Sequence, residues 1–366
     1  MMATMRINIG PIHPSTHGVL RFVADVDGDT IKRTETHVGF LHRGVEKLIE
    51  NRMYMQSPSF MEKMDYIAPL SWDDLYVNTI EKAMGVNVKE TAKYARVILL
   101  EFQRVASHLL WLGTFCNDLG QMFTSFMWSF RERDRIIKLL QDVSGGRMFY
   151  VNIRITGLNR KLPDDFKDRA YSLADYIEER ILAYPDVLDS NPIFMERTKG
   201  IGVISKDNAI KYGVSGPVLR ASGVGYDVRK ANPYYIYEKV KFNVPTETAG
   251  DAYARYRIRY YEMLESIKII RQALDAMPED NDVVGMPIRL IYPQPNLTPI
   301  MNNAELPRGE GIIYMVPDKT RPYRIYLRSG TYTNIAILDK ITENIKYADF
   351  FAIMGSLDLV ASDIDK

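Results

Sequence analysis

Apolar residues recur at Tyr94, Ile98, Phe102, Val105, Leu109 and Leu112, in steps of three and four. That spacing predicts one long helix from Lys89 to Phe115 with a single buried face. Asn117-Asp118-Leu119-Gly120 interrupts it, and Met122 to Val143 resumes a helix that ends at Gly145-Gly146. A third helix runs from about Pro163 to Tyr184, with acidic residues in its first turn and Pro185 after it. Thr248-Ala-Gly-Asp251 makes a capping-box-like start for another long helix, and Pro278 stops it. Its apolar row of Tyr256, Tyr260, Met263, Ile267, Ile270 and Leu274 suits packing against other helices.

The two ends of the chain follow a different period. Val19 to Val26 alternates, Asp27-Gly28 makes a hairpin-type turn, and Thr30 to Val38 returns. A short helix is expected around Val45–Asn51. FMEKMDYIAP follows, terminated by Pro69, and Trp72 to Met84 is helical up to Gly85. Residues 200–244 read as mixed, with a short helix closed by Gly213. Ile288 to Leu327 is β-like with proline breaks, followed by a helix near Tyr332–Ile345 and the apolar tail ADFFAIMGSLDLV. The expected class is α+β: a central bundle of long helices with an N-terminal β unit and a C-terminal β-containing unit. The expected divisions are 1–44 (β unit with a histidine-bearing loop), 45–190 (helical bundle), 191–245 (mixed α/β), 246–278 (long bundle helix) and 279–366 (β/α unit and tail).

Composition narrows the function. The 366 residues carry 47 Lys+Arg against 46 Asp+Glu, a net charge of +1, which argues against a nucleic-acid binder. No apolar run approaches the ~20 residues of a membrane helix. The start, MMATMRINIG, lacks the apolar core of a secretory signal. A cytoplasmic protein is expected, able to dock on a membrane complex. Cys116 is the one cysteine, which excludes an internal disulfide, a Cys-ligated iron–sulfur cluster and a thiolate nickel site within this chain.

Candidate chemistry clusters early. Of five histidines, His13, His17, His37 and His42 lie in the first 42 residues, and His108 is the fifth. In GPIHPSTHGVLR, Pro14 and Gly18 force a loop that carries His13 and His17. Spacing alone reads them as surface turn histidines; the competing reading is proton transfer from a loop on a rigid scaffold. KMDYIAP holds Asp65 and Tyr66, whose hydroxyl is a packing group or a proton donor. Asp118 in CNDLGQM is either an N-cap or a carboxylate that orients a histidine. Glu101, Arg104 and His108 share one face of the longest helix, as a solvated edge or as a buried ion-pair network. In HVGFLHRGVEKLIE, Arg43 is a surface charge or a cation presented to a partner's redox group.

These motifs, with SFRERDR, SGGRM, GPVLRASGVGYDVRK, PRGEGIIYMV, RPYRIYLRS and GSLDLVASDIDK, occur in the order of the D-subunit family of complex I, and the resemblance spans nearly the whole chain. The family is similar to the large subunit of nickel–iron hydrogenases, which hold their metal through two Cys-x-x-Cys pairs. Here those regions read Met64-Asp65-Tyr66-Ile67-Ala68 and Asp358-Leu359-Val360-Ala361-Ser362-Asp363, without cysteine.

The resemblance implies a hydrogenase large-subunit-like fold and a quinone-binding subunit of a proton-translocating complex I-type NADH:quinone oxidoreductase, active only when assembled. It implies that His17 and Tyr66 bracket the quinone headgroup and donate its protons, and that Asp118 is the partner of His17. His13 is then a neighbour on the same loop. Arg43 is then placed beside the iron–sulfur cluster of an adjoining small subunit. NAD(H) would bind elsewhere in the complex. Further partners would be other peripheral-arm subunits and a membrane-arm subunit, with the chain peripheral on the cytoplasmic side of the cell membrane. The same site would serve an archaeal-type deazaflavin- or ferredoxin-driven dehydrogenase, and a non-catalytic scaffold is the third reading. Phe149 stands where the family often has histidine, Lys366 where it usually has arginine, and Trp72 where it is often polar.

Overall fold

A computed structural model describes residues 5–16, 18–120, 122–286 and 296–366. The chain opens with three antiparallel strands, β1 (Met5–Ile9), β2 (Arg21–Asp27) and β3 (Thr30–His37). On β2, Phe22, Ala24 and Val26 face the core at every second position. The turn at Asp27-Gly28 forms as expected, with Gly28 at φ 63°, a conformation that glycine adopts without a Cβ clash.

Helices α1 (Val45–Glu50), α2 (Pro58–Met61) and α3 (Pro69–Met84) follow. Pro69, expected as a terminator, occupies the first turn of α3 instead. A first-turn N–H has no intrahelical acceptor, so proline loses nothing there. Next come α4 (Glu90–Asp118) and α5 (Met122–Ser144). The predicted break after Phe115 falls later: α4 runs through Asp118, and the chain reverses at Gly120, φ 79°. Asp118 therefore ends α4 and is not the N-cap of α5.

A small hairpin of β4 (Ile153–Arg154) and β5 (Gly157–Leu158) leads to α6 (Phe166–Leu182) and α7 (Tyr184–Leu188). Pro185 closes nothing; it sits in the first turn of α7. Residues 191–245, expected to mix helix and strand, hold α8 (Pro192–Thr198), α9 (Lys206–Lys211), α10 (Gly216–Ala221), α11 (Val228–Ala231) and no strand. Short apolar runs are ambiguous in period. Here side-chain caps decide: Asn191, Ser205 and Asp227 each accept a hydrogen bond from a first-turn N–H. The long helix α12 (Ala252–Ala276) is capped by Asp251, which accepts from the N–H of Ala254 at 2.7 Å.

Part of the β-like stretch from Ile288, residues 288–295, lies outside the described residues. Beyond it, β6 (Ile300–Leu306), β7 (Gly309–Pro317) and β8 (Pro322–Arg328) form an antiparallel meander. The helix expected near Tyr332–Ile345 is split into α13 (Gly330–Asn334) and α14 (Leu338–Ile341). The β-branched residues Thr331, Thr333, Ile335, Ile337 and Ile341 disfavour one continuous helix. Strand β9 (Ile345–Lys346) then pairs with β3, and α15 (Tyr347–Ser356) and α16 (Ala361–Ile364) finish the chain.

The class is α+β. One core joins α3, α4, α5, α6 and α12 to the inner face of β6–β8. A second joins the N-terminal sheet to α9, α10 and the tail helices. The tail thus crosses back onto the start of the chain and closes the structure around the end of α4.

Asp73 of α3 is wholly buried and accepts the N–H of Ile153 at 3.2 Å. Burial pushes its carboxyl up to about 8, against that hydrogen bond. Between the ordinary carboxylate range and pH 8 the folded protein holds a proton here that the unfolded chain releases, so stability falls as pH rises through that window. Asp73→Asn is expected to remove that part of the decline: in urea titrations the variant gains on the wild type between pH 5 and pH 8. An identical pH dependence in the two proteins would contradict a neutral Asp73.

Candidate functional site

The end of α4, the loop after β1, the turn before α3 and the segment after α15 meet around a cavity of about 180 Å³. One face of α4 supplies Leu110, Trp111, Thr114, Phe115 and Asp118. Ser15 and Leu20 come from the N-terminal unit, Tyr66 and Ile67 from the turn, and Met354, Gly355, Asp358 and Leu359 from the tail. The lining is largely apolar, with a few polar groups converging on it. Such a cavity suits a planar organic ring held by hydrogen bonds at its ends. Trp111 is fixed by an indole N–H donated to the carbonyl of Gly355 at 2.8 Å and by stacking on Phe115 at 5.0 Å. At Gly355 the packing is close: a Cβ would approach the Phe115 ring to 3.2 Å and Asp118 to 3.6 Å.

Tyr66 and Asp118, fifty-odd positions apart in sequence, thus share one cavity. Asp118 accepts the Ser15 hydroxyl at 3.1 Å, which ties the N-terminal loop to α4. His13 lies on that loop but stacks on Phe351 at 4.8 Å, and its Nδ1 accepts the Ser15 N–H at 3.2 Å. His17 lies outside the described residues. Burial raises the pKa of the Tyr66 phenol and so disfavours its ionisation, Arg308 opposes the rise, and Asp65 and Asp358 add to it.

Arg43 does not line the cavity. It donates to the carbonyls of Lys63 at 3.2 Å and Ser362 at 3.3 Å, and burial lowers its pKa against the pull of Asp365. At the departures noted above, Phe149 faces the ammonium of Lys63 at 5.1 Å and Trp72 is wholly buried. The Lys366 ammonium sits over the rings of Tyr326 and Tyr332, at 4.4 and 4.7 Å, and 3.6 Å from Glu46.

The two segments that carry cysteine pairs in the hydrogenases lie together here. Ser362 donates its hydroxyl to the carbonyl of Met64 at 2.8 Å. Between them Arg308 pairs with Asp65 and reaches Asp358 at 3.2 Å. Among the described residues, no group of three or more His, Cys, Asp or Glu side chains is placed to hold a metal ion.

Glu101, Arg104 and His108 form a buried network rather than a solvated edge. Glu101 pairs with Arg104 at 3.2 Å and Arg229 at 3.0 Å, and accepts the hydroxyls of Tyr237 and Ser266, both at 2.6 Å. Arg220 links Glu262 at 2.5 Å to Glu305 at 2.9 Å, and His108 meets Glu262 at 3.0 Å. Burial alone would raise the Glu101 and Glu262 carboxyls. Arg104 with Arg229, and Arg220 with His108, outweigh it and hold each at about 2.

Sequence reasoning did not single out Ser15, Trp111, Asp358 or Arg308 as site residues. Three of them stand inside motifs already quoted (PSTHG, PRGEG and SLDLVASD), yet only the packing of distant segments shows what they touch.

Comparison with known proteins shows the family. The family model of the respiratory-chain NADH dehydrogenase 49 Kd subunit matches residues 118–298 and 293–366. A protein of Desulforamulus reducens, named as the D subunit of NADH-quinone oxidoreductase, is 41% identical over 363 residues, 98% of this chain and 97% of its own. Proteins of the same name from Dehalococcoides mccartyi, 41% identical over 361 residues, and Geobacillus thermodenitrificans, 39% over 362, are each covered to 98%. The chain therefore belongs to the respiratory-chain NADH dehydrogenase 49 Kd subunit family.

Glu262→Gln is expected to destabilise the protein by about 3–5 kcal/mol, because it removes the closer of the two carboxylates paired with the buried Arg220 cation and leaves one amide oxygen where two carboxylate oxygens served Arg220 and His108. Chemical denaturation at neutral pH measures this; a loss under about 1 kcal/mol would mean that the network contributes little to holding the bundle together.

Proposed function

We propose that this chain is the quinone-site subunit of a proton-translocating complex I-type NADH:quinone oxidoreductase, and that the cavity at the end of α4 receives the quinone headgroup. The observation that carries this reading is the meeting of Tyr66, Asp118 and the Ser15 loop around one apolar cavity. The relatives' own name, NADH-quinone oxidoreductase, supports the donor and the acceptor.

Quinone is the substrate, and its two electrons come from an iron–sulfur cluster held by an adjoining small subunit. A quinone that gains two electrons becomes a base at both oxygens and takes up two protons. Tyr66 serves one carbonyl and His17 the other. The largely apolar walls lower the local dielectric, so a change of charge inside is strongly felt. Asp118 holds His17 in its charged form. When His17 gives up its proton, the Asp118 carboxylate loses that opposing charge while keeping the Ser15 hydroxyl, and this charge change is the signal passed to a membrane-arm subunit. Arg43 sits near the partner's cluster, where a fixed cation favours its reduced state. No described helix is long and apolar enough to cross a membrane. In this reading the chain sits peripherally, on the cytoplasmic side, with NAD(H) bound by other subunits.

The test is quinone reduction by the assembled complex carrying Tyr66→Phe. Turnover is expected to fall about a hundredfold, the size of a lost proton donor, while the iron–sulfur clusters still reduce normally. Wild-type turnover in the variant would remove Tyr66 from the site. Comparing NADH with reduced deazaflavin and ferredoxin as donors identifies the input module.

A further inference from the structure

The turn between β6 and β7 presents Arg308 to the interior, and the surrounding backbone leaves it no freedom. A Cβ on Gly216 would lie 2.4 Å from Gly309 Cα, and one on Gly330 would lie 2.4 Å from the Arg308 carbonyl. Gly309 itself is at φ 122°, a region that side chains other than hydrogen rarely enter. Asn334 donates to the Arg308 carbonyl at 3.3 Å. Two separate elements, α10 and α13, therefore grip this one turn.

The side chain is buried and ion-paired on two sides. One Nη donates to Asp65, whose other oxygen accepts the N–H groups of Ile67 at 3.1 Å and Ala68 at 3.2 Å. Asp65 thus folds the turn that displays Tyr66. On the other side Nε lies 3.2 Å from Asp358, a cavity-lining residue held at φ 58°, unusual for a residue other than glycine. Asp363 adds a third carboxylate to the field of Arg308. The second Nη has no hydrogen-bond partner among the described residues. The charged groups bearing on the Tyr66 phenol are Arg308, Asp65 and Asp358; of these Arg308 alone favours the phenolate.

We propose that Arg308 is the positioning residue of the Tyr66 wall: it locks the Asp65–Tyr66 turn to Asp358 across the cavity and supplies the positive charge that offsets the phenolate formed when Tyr66 donates its proton. The inference rests on the quinone-site reading of Tyr66. In that step the Tyr66 O–H bond breaks and the proton bonds to a carbonyl oxygen of the reduced quinone. Both electrons have come from the partner's iron–sulfur donor. The negative charge stays on the phenolate beside Arg308 until a proton from solvent restores the hydroxyl. A buried cation whose field favours the phenolate acts on the transition state, where charge develops, more than on binding of neutral quinone.

The experiment measures kcat and KM for a short-chain quinone in the assembled complex carrying Arg308→Gln, Arg308→Lys or Tyr66→Phe, with iron–sulfur reduction followed spectroscopically. Arg308→Gln is expected to lower kcat about tenfold or more with KM changed less than about twofold, and Arg308→Lys to keep at least about a third of wild-type kcat. A kcat for Arg308→Gln within about twofold of wild type overturns the proposal, as does equal loss in the Gln and Lys variants with a raised KM. If Arg308→Gln does not assemble, Arg308→Lys decides: retained kcat supports the role of the charge, and a loss of about tenfold with normal cluster reduction overturns it. Wild-type behaviour of Tyr66→Phe would instead mark failure of the underlying site assignment.

Discussion

Burying arginine inside a helical bundle is the constraint on which this structure depends. Arg96, Arg220, Arg229, Arg255, Arg259 and Arg308 are all withdrawn from water. A guanidinium cannot shed its proton to escape the cost, so the fold must bring anions or carbonyls to each one. Arg96 takes Glu81 at 2.8 Å, Arg229 takes Asp227 at 2.7 Å and Arg220 takes Glu262 at 2.5 Å. Arg255 has no carboxylate at pairing distance among the described residues and relies on the carbonyls of Gly202 at 3.0 Å and Gly250 at 2.8 Å. Burial pulls it down to about 9.

These pairs join parts of the chain far apart in sequence. Glu101 on α4, Arg229 on α11 and Ser266 on α12 meet at one carboxylate. Arg220 bridges α12 to β6. Arg259 lies under the Trp111 ring at 4.2 Å and 3.8 Å from Asp358, which carries the network to the cavity wall. Ion pairs of this kind add little net stability compared with apolar packing, but removing one partner is costly. Their physical consequence is a single permitted register between α4, α12, the C-terminal sheet and the tail. A cavity framed this way is held in shape from several sides.

Much of the site is legible in the sequence. The loop signal of Pro14 and Gly18, the Asp65-Tyr66 turn and the helix end at Asp118 stand there as local punctuation. The chemistry of the two that line the cavity follows from residue type: a phenol and a carboxylate. Other features mislead when taken locally. Pro69 and Pro185 open helices where local pattern suggests a stop, because proline is a start signal as readily as a stop signal. The charged row of Glu101, Arg104 and His108 is ambiguous, since spacing along a helix does not say whether that face meets water or another helix.

Periodicity, caps and turn residues determined the long helices, the N-terminal hairpin and the α+β class, because these depend on contacts a few residues apart. The ordered motifs determined the family, and the lack of cysteines at 64–68 and 358–363 determined that no thiolate stands at those positions. Only the tertiary structure decided that Tyr66, Asp118 and Asp358 line one cavity, that Ser15 clasps Asp118, and that Arg308 stands between Asp65 and Asp358. The physical reason is range. A buried charge is satisfied by whichever anion the packing brings within a few ångströms, and these partners lie up to 243 positions away along the chain, where no local pattern points to them.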